Sequence, residues 1–221
     1  MWNPTTDTNI VIDGNSAHVF MTSESANRLD EERLLLMKPY EVIDNPVVGQ
    51  EHRLIERSDE ADEECLRYEV RFQANATSFA EHLHPKSDET FKVIKGELIV
   101  TIDGEERSLD PGEELTIPAG SPHTHFSKSG IETRVLSEVR PPFDTESLLR
   151  GLAALAREGN TDAEGTPNLL PLSVFEAAHP DLVYLSSPPV IVQKLLFSLL
   201  APVGRLRGYA ADYPPVPPRD P

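Results

Sequence analysis

Four side chains that can bind a metal ion lie close together in the middle of the chain. His82 and His84 are separated by one residue, Glu89 follows after a short turn, and His123 comes from a separate hairpin. Residues two apart in a β-strand project from the same face, so the first two imidazoles are expected to point the same way. Imidazole and carboxylate ligands suit borderline divalent ions such as Fe, Mn, Ni, Cu, Co or Zn. The spacing therefore predicts a site for one divalent transition metal whose identity stays open.

The same residues, with several glycines and one proline, fall into two motifs that resemble those of the cupin superfamily. The first motif is matched by His82, His84, Glu89 and Gly96, and the second by Gly112, Pro118, Gly120 and His123. Two other motif positions differ, because Ala76 replaces the opening glycine of the first motif and Ser127 the closing asparagine of the second. The resemblance covers about residues 40 to 140. It implies a mainly β fold, the cupin-type double-stranded β-helix or jelly-roll barrel, with the four residues as metal ligands and with pairing into a homodimer.

The strand pattern of this region agrees with such a barrel. Residues 66–73 alternate apolar and charged side chains, which predicts a half-buried strand with its apolar face towards the core. We expect its aromatic residues, Tyr68 and Phe72, to pack in the core rather than line a pocket. Asp103 and Gly104 predict a tight hairpin turn, and several further short runs separated by glycine and proline predict antiparallel strands. A last strand is expected over residues 131–139.

The chain divides into four segments on these patterns. They are an N-terminal extension (1–39), the cupin barrel (40–140), a C-terminal helical extension (141–212) and a proline-rich tail (213–221). In the first segment we predict strands over residues 9–13 and 17–22 and a helix over residues 25–37. In the third we predict helices over residues 145–157, capped by Thr145, over residues 171–178, and over residues 190–209 with a bend near Pro202. About seventy residues with three helices make a poor independent core, so the extension should pack against the barrel.

Composition restricts the partners and the compartment. The 37 acidic and 20 basic residues give a formal charge of −17, which would repel nucleic acid and anionic membranes. A strongly acidic chain with fourteen arginines and six lysines is typical of salt-adapted proteins, although an ordinary acidic protein is the alternative. The single cysteine, Cys65, fits a reducing compartment. The N-terminus has no signal-peptide pattern and no apolar run is long enough to span a bilayer, so we expect a cytoplasmic protein.

Three functions remain open on this reading. The first is a metal-dependent enzyme of the dioxygenase or isomerase type acting on a small chelating substrate, a function that the resemblance suggests. The second is a non-catalytic cupin that binds or senses a small molecule, and the third is an interaction protein that acts through its helical tail. His125 shares a face with His123, so it is a candidate helper at the barrel mouth that would orient a ligand, move a proton or bind substrate. We interpret His18, His52 and His179 as surface or structural residues, and Glu81 as solvated.

Overall fold

The described part of the chain is mainly antiparallel β-structure followed by three helices. The structure, a computed structural model, describes residues 8–13, 16–21, 33, 37–58, 64–77, 79–128 and 130–213. The helix predicted over residues 25–37 and the proline-rich tail lie almost entirely outside the described residues. The two strands predicted in the N-terminal extension are present and pair with each other as a hairpin.

Thirteen strands form in the described residues, and all of their pairings are antiparallel. They are β1 (Thr8–Asp13), β2 (Ser16–Met21), β3 (Glu41–Asn45), β4 (Gln50–Ser58), β5 (Cys65–Phe72), β6 (His82–Leu83), β7 (Asp88–Lys95), β8 (Leu98–Ile102), β9 (Glu105–Leu109), β10 (Glu114–Ile117), β11 (His123–Ser127), β12 (Thr133–Arg140) and β13 (Tyr184–Leu185).

Two sheets make up the barrel. One has the strand order β10-β7-β12-β5-β4-β3, and the other has the order β13-β6-β11-β8-β9. Alternate apolar residues of both sheets meet in one buried cluster, whose members include Leu54, Leu66, Phe91, Val100 and Val135. The mainly β cupin fold predicted from the sequence is thus confirmed. The strands β3, β4 and β13 had not been predicted individually.

Tight turns set the register of the central hairpins. Asp103 and Gly104 have φ values of 50° and 82°, and Ile102 pairs with Glu105 across them, as expected for a two-residue hairpin loop. Gly96, with φ +85°, lies so close to β12 that an added Cβ would be 2.5 Å from Thr133 Oγ1. Glycine is therefore required there for both conformation and space.

The outer face of β5 is more buried than a half-exposed strand predicts. Glu69 is 2% exposed on that face, and its carboxylate accepts hydrogen bonds from Arg71 at 2.9 Å and Arg134 at 2.5 Å. Arg53 lies 3.6 Å from the other carboxylate oxygen. The three guanidinium groups offset the free-energy cost of burying the Glu69 charge. The charged residues on the outer face of β5 therefore stabilise the sheet.

The helices of the C-terminal extension are α1 (Thr145–Arg157), α2 (Leu169–Ala178) and α3 (Val190–Leu206). Thr145 does not cap α1 as predicted, because it is the first helical residue, buried, with its hydroxyl donating to the carbonyl oxygen of Pro142. Arg150 of α1 binds both carboxylate oxygens of Glu41 on β3, at 3.0 and 2.6 Å. The extension also adds β13 to the edge of a barrel sheet, next to β6. It therefore packs against the barrel, as expected.

None of the described helices is both long enough and apolar enough to cross a membrane.

Candidate metal centre and adjoining cavity

The four predicted metal ligands come together between the two sheets. His82 on β6 and His123 on β11 are direct cross-strand partners in the five-stranded sheet, and His84 follows immediately after β6. Glu89 lies on β7 of the other sheet, directly after the short turn that follows His84. One ligand atom from each of the four residues lies within 4.8 Å of the others. The two sheets therefore supply a single cluster of donors.

Backbone carbonyl groups orient all three imidazoles. In each histidine the Nδ1 atom lies within hydrogen-bond distance of a carbonyl oxygen, which requires Nδ1 to carry the proton. The Nε2 lone pair is then free to bind a metal, and such outer contacts are what fix a metal-binding histidine in its tautomer. The pairs are His82 with Ala80 (2.9 Å), His84 with Leu182 (2.8 Å) and His123 with Ser121 (2.9 Å).

The carboxylate of Glu89 is also held on both of its oxygens. Oε2 lies 3.3 Å from Nε2 of His123 and 3.5 Å from Nε2 of His84, on the side where the imidazoles converge. Oε1 accepts hydrogen bonds from the hydroxyl of Tyr68 at 3.2 Å and from Ser137 at 3.4 Å. Tyr68 therefore contacts the site as well as the core, a role that its place in an alternating strand did not reveal.

The pKa shifts in the cluster favour an ionised Glu89 and a neutral His82. Burial raises the pKa of Glu89, but hydrogen bonds and charge from His123 and His84 outweigh it, so the pKa lies well below its usual value. Burial, together with the charges of His123 and His84, lowers the pKa of His82 well below its usual value. Burial lowers the pKa of His123, but the neighbouring Glu89 carboxylate raises it by more. The net shift of the His123 pKa is therefore upward. An ionised carboxylate beside oriented imidazoles fits a divalent transition metal.

His125 is buried among rings inside the barrel. The side chain is 7% exposed, and its ring lies 4.6 Å from that of Phe91, 5.9 Å from Phe72 and 6.4 Å from His82. Its Nδ1 atom has no hydrogen-bond partner among the described residues. Burial lowers the pKa of His125 to about 4, so the ring is neutral at pH 7. The role of His125 as a helper stays a prediction.

The remaining polar residues singled out from the sequence lie apart from the four ligands. His52 is a buried structural residue of β4, with its ring 5.9 Å from that of Tyr68, rather than a surface one. His179 ends α2 and lies 2.9 Å from Asp144. Glu81 is exposed, as predicted. His18 lies on β2, and its side chain is not among those that the structure describes.

A mostly apolar cavity of about 120 Å³ adjoins the cluster. His82, His84 and Glu89 border it on the barrel side, and the helical extension forms most of the remaining wall. The apolar lining from the helices includes Leu148, Leu149, Leu152, Leu155, Leu172, Phe175 and Phe197. The leucine stripe of α1 was visible in the sequence, but which surface it would cover was not.

Comparison with known proteins agrees with this architecture. Residues 68–137 match the family model described as Cupin domain. The chain is 32% identical over 95 residues to the tetracenomycin polyketide synthase protein TcmJ of Streptomyces glaucescens, covering 43% of this chain and 57% of that protein. It is 33% identical over 75 residues to an uncharacterized protein of Aquifex aeolicus, covering 34% of this chain and 60% of that protein. The chain thus spans less than two thirds of each curated relative.

The solved structure of the Schizosaccharomyces pombe Cnp3 cupin domain is similar to this chain at 9% identity and a TM-score of 0.39, covering 60% of this chain and 84% of that one. Residues 68–137 therefore form a cupin domain within the chain. The helical extension lies beyond the matched residues.

Proposed function

We propose that this chain is a metal-binding cupin that acts as a metal-dependent enzyme of the dioxygenase or isomerase type on a small chelating substrate. The observation that carries the proposal is the cluster of His82, His84, Glu89 and His123, whose donors lie within 4.8 Å of one another beside a cavity. A divalent ion held there would act as a Lewis acid on a chelating ligand and, if redox-active, would activate dioxygen. Nothing else in the described residues brings so many metal-binding groups together.

The chain's own residues would bind and shield the substrate. The cavity walls are leucine and aromatic side chains, so an apolar molecule displaces water from them favourably. The oriented imidazoles and Glu89 keep the polar end of the cavity fixed. The similarity to TcmJ supports a substrate of polyketide chemistry, since oxygen atoms on alternate carbons of such molecules chelate metals.

The proposal is tested with protein loaded separately with Fe²⁺, Mn²⁺, Ni²⁺, Cu²⁺, Co²⁺ or Zn²⁺. We expect ortho-hydroxyacetophenone, a simple aromatic chelator, to bind to the loaded protein about tenfold or more tightly than to the metal-free protein, because two ligand oxygens gain charge-assisted contacts. Isothermal titration measures both affinities, and dioxygen uptake and product mass distinguish oxygenation from isomerisation in a wider set of chelating phenols. Equal binding with and without metal would contradict the proposal, whereas metal-dependent binding without turnover would favour the non-catalytic binding cupin.

His125 is proposed as a helper that positions the groups around it. The neutral imidazole of His125 can form a hydrogen bond through its unpaired Nδ1 atom and so orient a neighbouring group. Its pKa of about 4 makes it poorly suited to proton transfer near pH 7.

The interaction function has its own supporting observation on α3, which carries an exposed apolar stripe: Ile191, Val192, Leu195, Leu196, Leu199, Val203 and Leu206. Large contiguous apolar patches on a protein surface commonly mark interaction sites. We propose that the occupant is a second copy of the chain, giving a homodimer. The helix has no acidic residue, so two copies of it meet without the carboxylate repulsion that the net charge of −17 imposes elsewhere.

Light scattering tests the dimer directly. We expect the parent chain to have twice the mass of one chain, and Leu199→Glu to shift it to the monomer, since a charge would have to be buried in the interface. Ala163→Glu adds the same charge at an exposed loop position and should leave the dimer intact. A parent chain that is monomeric at all accessible concentrations would exclude this interface.

We also propose a cytoplasmic location and an acidic, salt-tolerant surface without nucleic-acid partners. The support is the lone Cys65 and the excess of 37 acidic over 20 basic residues.

A further inference from the structure

Two buried polar side chains of the helical extension face the same cavity as the metal cluster. Glu176 of α2 is 3% exposed, and Gln193 of α3 is 2% exposed. Both line the cavity, whose other walls are largely apolar. Glu176 Oε2 and Gln193 Oε1 have no hydrogen-bond partner among the described residues. Buried polar atoms without partners are costly, so two of them lining one cavity point to a group that the cavity takes up.

The orientation of the Gln193 amide is fixed by its neighbours. Its Nε2 atom donates to the carbonyl oxygens of Leu185 at 2.7 Å and Pro188 at 2.6 Å. Because both partners are acceptors, the amide cannot be turned around, and Oε1 must remain the unpaired acceptor. Leu185 is the cross-strand partner of His82, so this amide is anchored to the strand next to a predicted metal ligand.

The Glu176 carboxyl complements that acceptor. Burial raises the pKa of Glu176 well above its usual value. Burial therefore favours the neutral carboxyl group, whose hydroxyl is a hydrogen-bond donor. The wall thus presents one donor and one fixed acceptor. A hydroxyl group accepts one hydrogen bond and donates another, so it is the simplest ligand group that satisfies both.

We propose that Glu176 and Gln193 form a second anchor in the cavity that recognises a hydroxyl group on an otherwise apolar, aromatic ligand. This inference rests on the proposed function in that it names the class of substrate, a hydroxylated aromatic chelator held at one end by the metal cluster. The two residues are binding residues of the extension and lie outside the part of the chain that matches the cupin family.

The anchor is tested on the metal-free full-length protein with two matched probes, toluene and para-cresol, which differ by one hydroxyl group. We expect the parent to bind para-cresol roughly threefold to tenfold more tightly than toluene, the effect of one or two neutral hydrogen bonds. Glu176→Leu and Gln193→Met should each reduce this preference while toluene still binds. Glu176→Gln keeps a hydrogen-bond donor and should retain part of the preference for para-cresol. This variant replaces Glu176→Leu in the test if the leucine variant does not fold. Ser198→Ala, an exposed change on the same helix, is the control and should keep the full preference.

Ligand-observed NMR or calorimetry measures the preference, and a thermal melt checks folding. Loss of the preference in the two variants and its retention in the control would support the anchor. The same preference in the parent and both variants, or no preference in the parent, would overturn it. Binding of ortho-hydroxyacetophenone to the metal-loaded parent reports separately on the proposed function, so a failure of chelation with an intact cresol preference would contradict the metal-dependent function and leave the anchor standing.

Discussion

Replacing both His82 and His84 by alanine is expected to reduce bound metal from about one equivalent per chain to almost none, since two of the four donors are lost from the cluster. Elemental analysis of protein purified without a metal-affinity step measures the change. The single variant His84→Ala should lose most of the metal, because its Nε2 atom lies 3.5 Å from the Glu89 oxygen that faces the site.

His179→Ala is the matched control, since it removes a histidine that lies outside the cluster, beside Asp144. It should keep the metal content of the parent. Circular dichroism shows whether each variant keeps its β-structure. A folded double variant with full metal occupancy would exclude these residues as the ligands.

Acidification is expected to destabilise the metal-free protein strongly between pH 6.5 and about pH 4, because His52 and His125 are buried in the neutral form. Burial lowers the pKa of each to about 4, whereas in the unfolded chain each binds a proton near pH 6.5. In that interval the unfolded chain holds more protons, so the free energy of unfolding falls as the pH falls. A shift of this size corresponds to about 3 kcal/mol for each histidine.

The measurement is chemical denaturation of the parent and of His52→Gln across this pH range. The variant has one fewer buried histidine, so its stability should decline by about 3 kcal/mol less than that of the parent. Comparing the two cancels the contributions of Glu89, whose lowered pKa also favours unfolding in acid, and of His82 and His123. Parallel curves for the parent and His52→Gln would show that this histidine is not held neutral.

Local spacing made the metal ligands predictable. Two histidines separated by one residue, a glutamate and a histidine after a proline-glycine turn are recognisable without knowledge of the sheet order. The turn at Asp103 and Gly104 was predictable for the same reason, since it depends on two residues. The helices of the extension were predictable approximately because their apolar residues recur at helical spacing.

Contacts between distant segments were not predictable in this way. Tyr68 looks like any aromatic residue of a core strand, and only the fold brings its hydroxyl to Glu89. Glu176 and Gln193 are polar residues within apolar helical runs, a pattern that does not indicate a cavity. The two-residue strand β13 is too short to give an alternation signal, although it completes the sheet beside His82.

The carbonyl of Leu182 gives the C-terminal extension a part in the metal centre itself. It lies 2.8 Å from Nδ1 of His84, whereas the other two imidazoles are oriented by carbonyls two residues away in their own loops. Removing or exchanging residues 141–213 would therefore loosen one ligand and rebuild the cavity wall in the same step. Changes in a segment outside the two cupin motifs would alter metal retention and ligand choice together, so new specificity could arise on this barrel without any change in the four clustered residues.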